Sequence, residues 1–154
     1  MKVLLAKSLL LNQNSGQAIE EFKRLTKAKN PEYAAEAQYV LAEIAFNSGK
    51  IEESEKMIHQ INANPSSEYW LAKTFVLWAD IFKSKGNTIQ AKQTLQSIID
   101  NYEGDEELIE LAKQKLLSLT DEETKALQET EDKRQEHQEA VDEIIIEDAE
   151  QQNQ

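Results

Sequence analysis

The sequence predicts an all-α fold in which antiparallel helix pairs follow one another as repeats, about three pairs and then one further helix. Three observations carry this. Apolar residues recur at three- and four-residue steps between short punctuating stretches, which is a helical and not a strand period. Small and large residues repeat in one order at a spacing of 36 and then 37 residues. The 154-residue chain holds only four glycines and two prolines, too few turn residues for many short strands.

Helices are expected near 2–13, 15–29, 32–48, 51–62, 66–85, 88–102 and 105–119. The first carries the apolar run Val3 to Leu11. That run looks a little like a signal peptide, but Lys7 interrupts it and no small-residue cleavage site follows. The second has Ala18, Phe22 and Leu25 on one face. Pro31 can start the third, whose apolar residues include Tyr33, Ala37, Val40, Leu41, Ile44 and Ala45. The fourth follows Gly49 with Ser54, Ile58 and Ile61. Pro65 can start the fifth, which holds Trp70, Leu71, Phe75, Leu77, Trp78, Ile81 and Phe82. The sixth has Ala91, Leu95 and Ile98, and the seventh opens on Asp105-Glu106-Glu107, acids that complement a helix dipole. Gly16, Gly49, Gly86 and Gly104 each sit where a helix-ending, left-handed residue is expected. The joins are short, so neighbouring helices should run antiparallel.

Charge divides the chain. Asp and Glu number 29 against 17 Lys and Arg, a net charge of −12. Residues 120–154 hold 13 of the acids and three bases, and they lack glycine, proline and aromatic residues. The expected organisation is therefore a helical-repeat domain over 1–119 and an acidic Glu/Gln-rich tail over 120–154, partly helical or disordered. The negative charge disfavours a nucleic-acid partner. No apolar run reaches the roughly 18–20 residues that a bilayer requires, so direct membrane insertion is not expected. The absence of cysteine excludes disulfides, thiolate metal sites and thiol nucleophiles.

The repeat is read by aligning Leu5-Ala6, Leu41-Ala42 and Trp78-Ala79. Leu9, Ala45 and Phe82 then coincide, as do Ala18, Ser54 and Ala91, then Phe22, Ile58 and Leu95, then Leu25, Ile61 and Ile98. A small residue at a fixed place lets two helices approach, and a large one fills the groove between them. The second copy reads LAEIAFNSGKIEESEKMI and the third WADIFKSKGNTIQAKQTL. This order resembles the tetratricopeptide repeat, with alanine after the first apolar residue where that family has glycine. The resemblance implies a right-handed superhelix of helix pairs over residues 3–119. It also implies a non-catalytic scaffold that holds a protein or peptide along its concave face. Because the first helix of the first copy is short, the expectation is the carboxy-terminal part of a longer bacterial repeat protein. The alternative is a structural, self-associating repeat protein of a cell-envelope assembly.

In the superfamily the first helix of each pair lines the concave face. Carried onto this sequence, the groove would show Lys7, Leu10 and Leu11 from the first copy, Glu36, Tyr39, Glu43, Phe46 and Asn47 from the second, and Lys73, Val76, Asp80, Lys83 and Ser84 from the third. Tyr39 and Phe46 would be the anchors, with Glu43, Asn47, Lys73, Asp80 and Lys83 as polar contacts. No enzyme is expected. There is no Gly-rich phosphate loop and no local nucleophile–base motif. Glu55 and His59 are four apart on a helix, but no further His or Cys lies nearby, so no metal or other cofactor is expected. Trp70 and Trp78, eight apart, read as packing residues in a non-basic setting, with Trp70 at an edge. In the tail, Ile144-Ile145-Ile146 stands between acids and suits either an extended segment on a partner's sheet edge or docking on the chain's own repeat edge.

Overall fold

The computed structural model describes residues 2–11 and 15–151, with side chains described over 4–9 and 15–144. All described regular structure is helical: α1 (Lys2–Leu11), α2 (Ser15–Leu25), α3 (Pro31–Asn47), α4 (Ile51–Ala63), α5 (Glu68–Ser84), α6 (Thr88–Asn101) and α7 (Glu106–Gln151). The chain divides into two compact units, Met1–Leu116 and Leu117–Gln154.

In the first unit α1 packs on α2, α3 on α4 and α5 on α6. Successive pairs join through α2 on α3, α3 on α5 and α4 on α5. The aligned small residues explain the close approach within each pair. Ala6, Ala42 and Ala79 are buried in all three copies, and so are their counterparts Ala18, Ser54 and Ala91. The large residues that follow, Phe22, Ile58 and Leu95 and then Leu25, Ile61 and Ile98, are buried in every copy too. Ser54 stands where the other copies have alanine. Its hydroxyl donates to the Ala42 carbonyl oxygen at 2.8 Å, so the extra polar atom is satisfied inside the pair. The slot of Leu5, Leu41 and Trp78 is less covered. Leu5 is exposed, while Leu41 and Trp78 are half-buried.

Chain punctuation agrees with the sequence expectation in part. Gly49 and Gly86 have φ of 76° and 75° and end α3 and α5 in the same way. The Gly49 N–H donates to Phe46 O at 2.9 Å and the Lys50 N–H to Ala45 O at 2.9 Å. Gly86 and Asn87 repeat this on Lys83 O (3.0 Å) and Phe82 O (2.8 Å). Both are Schellman closures, which need a left-handed residue after the helix. Gly16 and Gly104 do other work. Gly16 lies in the first turn of α2. Gly104 sits under the Tyr102 phenol ring, where a Cβ would collide with the ring atoms. The Tyr102 hydroxyl accepts from the Asp105 N–H at 3.1 Å, and the ring is thereby folded back over the glycine.

The prolines differ as well. Pro31 opens α3, and the Asn30 side chain caps it by accepting from Glu32 N at 2.9 Å. Pro65 does not open α5. Ser67 is the cap there, accepting from Trp70 N at 3.4 Å, and the helix begins at Glu68. A serine cap satisfies a free helix N–H, which proline cannot do, and this sets the later start.

Helix α7 takes in the expected seventh helix and also the acidic stretch beyond 119. In the second unit every described side chain from 120 to 144 is exposed, save a half-buried Val141. Local bonds support this helix: Thr124 Oγ1 donates to Thr120 O at 2.9 Å, Thr130 Oγ1 to Ala126 O at 2.8 Å, and the Gln138 side-chain amide to Asp142 Oδ1 at 2.8 Å. Ile144 is exposed. The side chains of Ile145 and Ile146 lie outside the described residues.

Candidate partner-binding face

The odd-numbered helices of the first unit share a polar and aromatic row. On α3 the row is Glu36, Tyr39 and Glu43, at steps of three and four, so the three stand on one helix face. On α5 it is Lys73, Val76 and Asp80, with the same spacing. Contacts between these helices run crosswise. Lys7 of α1 pairs with Glu36 of α3 at 2.5 Å, and Asp80 of α5 pairs with Lys115 of α7 at 2.7 Å.

Between these two ion pairs lies an aromatic cluster. The Tyr39 and Trp70 ring centroids are 5.3 Å apart, and Tyr69 stands edge-on to Trp70 at 5.1 Å. The Lys73 ammonium lies over all three rings, 5.3 Å from Tyr39, 5.8 Å from Tyr69 and 5.2 Å from Trp70. A cation over an aromatic face is held by the ring quadrupole, worth roughly 0.5–1 kcal/mol at exposed sites. The Tyr39 hydroxyl donates to Glu43 Oε1 at 2.6 Å. Burial, reinforced by that hydrogen bond and by the charges of Glu43 and Asp80, pushes the Tyr39 phenol well above its ordinary pKa. Tyr39 therefore remains a neutral donor. The side chains of the row hold one another through charge and ring contacts.

The sequence-expected residues fall into three groups. Asn47, Lys83 and Ser84 are exposed, as is Lys7. Glu43, Phe46, Lys73 and Asp80 are half-buried, and Phe46 packs against the core. Tyr39, Glu36 and Val76 are buried, which corrects their expected solvent-facing placement. For Tyr39 the reason is Trp70, which comes from the next helix pair and lies on the Tyr39 ring, and Glu36 is covered where Lys7 pairs with it. Leu10 and Leu11 have side chains outside the described residues. Lys115 and Tyr69 were not expected in the row. A signal for Lys115 exists in its 35-residue separation from Asp80, close to the repeat length. Tyr69 left no periodic signal.

Elsewhere, Glu55 and His59 engage other groups. Lys85 reaches Glu55 at 2.9 and 3.0 Å, and His59 stands edge-on to Trp78 at 5.0 Å. Among the described residues no group of three metal-ligating side chains forms, and no helix is long and apolar enough to cross a membrane.

No family model matches the chain, and no curated protein matches it in sequence.

Proposed function

We propose that residues 3–119 form a tetratricopeptide-like right-handed superhelix whose first helices present a groove to a protein or peptide partner, without catalysis. The observation that supports this best is the polar and aromatic row shared by α1, α3, α5 and α7. It is one surface drawn from several repeats, which is what an extended ligand needs. Recognition would fall to the groups left accessible at its border: Asn47, Lys83 and the outer faces of Phe46, Lys73 and Asp80. Tyr39 would set the floor by holding Trp70 and Glu43.

The test is capture of partners by the full chain and by the Asn47→Ala/Lys83→Glu variant, with helical content compared by circular dichroism. The expected result is loss of the captured protein at unchanged helicity. Recovery of the same proteins by both chains would remove the groove reading.

A second reading, self-association, has one observation in its favour. Leu4 and Leu5 on α1 are 70% and 55% exposed and adjacent, an apolar edge on the first helix. Sedimentation over a concentration series separates the two, since a monomer throughout would exclude self-association.

A further inference from the structure

The opposite face of α5 carries a second feature. A groove of about 380 Å³ opens between α5 and α6, with a floor of Leu71, Ala72, Phe75, Ile98 and Tyr102. Its volume lies within the range of small-ligand sites, roughly 300–1,000 Å³. Two carboxylates stand at the mouth, Glu68 at the start of α5 and Glu103 in the turn before α7. Both are exposed, and among the described residues neither has an ion-pair partner. The surrounding sequence deepens the negative field: residues 93–112 contain six acids and no lysine or arginine.

The preceding helix pair shows the same place with other residues. Thirty-seven residues earlier, Ala34 and Gln38 stand for Leu71 and Phe75, and Pro31 and Ser66 stand for Glu68 and Glu103. There the Ser66 hydroxyl donates to the Pro31 carbonyl oxygen at 3.5 Å, so the mouth is bridged by the chain itself. The buried residues, Ala35 and Ala72 and then Ile61 and Ile98, are the same type in both pairs. The copies therefore agree where packing requires it and differ at the groove. In the third copy larger apolar groups line the floor, and two like charges replace a bridged mouth. Glu68 serves the helix dipole in the first turn of α5, and Glu103 adds a second acid to the same groove, so a cation seated there is attracted by both.

We propose that this groove is a binding site for a cationic amphiphilic peptide segment: a large apolar side chain seated on Leu71 and Phe75, next to a lysine or arginine whose charge lies between Glu68 and Glu103. The site is on the side of α5 away from Lys73 and Asp80, and it does not depend on the reading of the first-helix row.

The test is NMR titration of the isotope-labelled full chain with three capped dipeptides, acetyl-Leu-Lys-amide, acetyl-Leu-Glu-amide and acetyl-Gly-Lys-amide. Saturable shifts at Ala72, Phe75 and Ile98 with Leu-Lys alone are expected. The Glu68→Gln/Glu103→Gln variant keeps its fold, since both acids are exposed, and should bind Leu-Lys about fivefold more weakly, a loss that 0.5 M salt reproduces in the parent. Equal shifts with Leu-Glu or with Gly-Lys would overturn the proposal, as would unchanged affinity in the double variant or no shift at the groove with any of the three.

Discussion

Two regions of this chain are helical for different reasons. In residues 1–116 the same four slots are buried in each of three copies, and helix pairs are joined through alanine, serine and a large apolar side chain. In residues 120–144 almost every described side chain is exposed, and the helix is supported by propensity and by bonds between residues four apart. An isolated helix stabilised this way is marginal in water, whereas burial of one amphipathic face is what usually holds a helix in a protein. Equal helicity therefore hides unequal stability. The first region should answer to changes of volume, and the second should not.

The sharpest way to break that comparison is Phe22→Ala. Phe22 has no exposed surface, and its slot is filled in every copy. Its truncation should cost about 3–5 kcal/mol, read as a shift in the denaturation midpoint. A loss below 1 kcal/mol would mean that the slot is not a core position. Overpacking probes the same interface from the other side. Ala79→Leu forces a larger group into the contact of α5 with its neighbours and should cost roughly 1–3 kcal/mol. A melting temperature unchanged by Ala79→Leu would place this residue outside the interface. In the acidic region the matching change is Leu127→Ala. Leu127 is 65% exposed, so the effect should stay within about 0.5 kcal/mol, and a loss as large as that of Ala79→Leu would erase the distinction.

A finer test uses the repeat against itself. Ser54→Ala installs the residue that the first and third copies already have at this place, Ala18 and Ala91. It removes the 2.8 Å bond to the Ala42 carbonyl but leaves no buried donor without a partner. The cost should be about 1 kcal/mol or less. A larger loss would show that the second pair depends on its serine and is not interchangeable with its neighbours.

What was legible in the sequence follows from the range over which each feature is determined. The helices and their small-large order are local and periodic, so the alignment of Ala6, Ala42 and Ala79 located buried positions without any coordinates. Helix ends were legible where one residue type decides them, as at Gly49 and Gly86. They were misplaced where two candidates compete, as at Pro65 and Ser67, because a side-chain cap outweighs a favourable φ. The candidate face was legible only as a list of residues. That Tyr39 would be covered depends on Trp70, 31 residues away in the next pair, and no period within a helix carries that information. The groove on the other face of α5 was visible only as a departure of one copy from another, Phe75 against Gln38 and Glu103 against Ser66. Such departures mean little until the shared positions are known to be buried.

The smallest expected effect on the first region comes from removing residues 121–154. Ordering a residue costs about 1–2 kcal/mol of backbone entropy, and residues 120–140 recover none of it by burial, since all of their side chains are exposed. The net charge of −10 over residues 120–154 adds self-repulsion that salt relieves. Local opening of this helix should therefore be far more frequent than opening of the paired helices, and opening is what a protease requires. Trypsin should cut first after Lys125, Lys133 and Arg134, all three exposed, while Lys73 and Lys115, tied into the first-helix row, stay uncut until the repeat unit unfolds. The shortened chain should melt within about 2 °C of the parent, since a loss of a few tenths of a kcal/mol corresponds to no more than that. Protection of all three early sites, with a fall in melting temperature well beyond this on truncation, would show that packing holds the acidic helix as firmly as it holds the repeats.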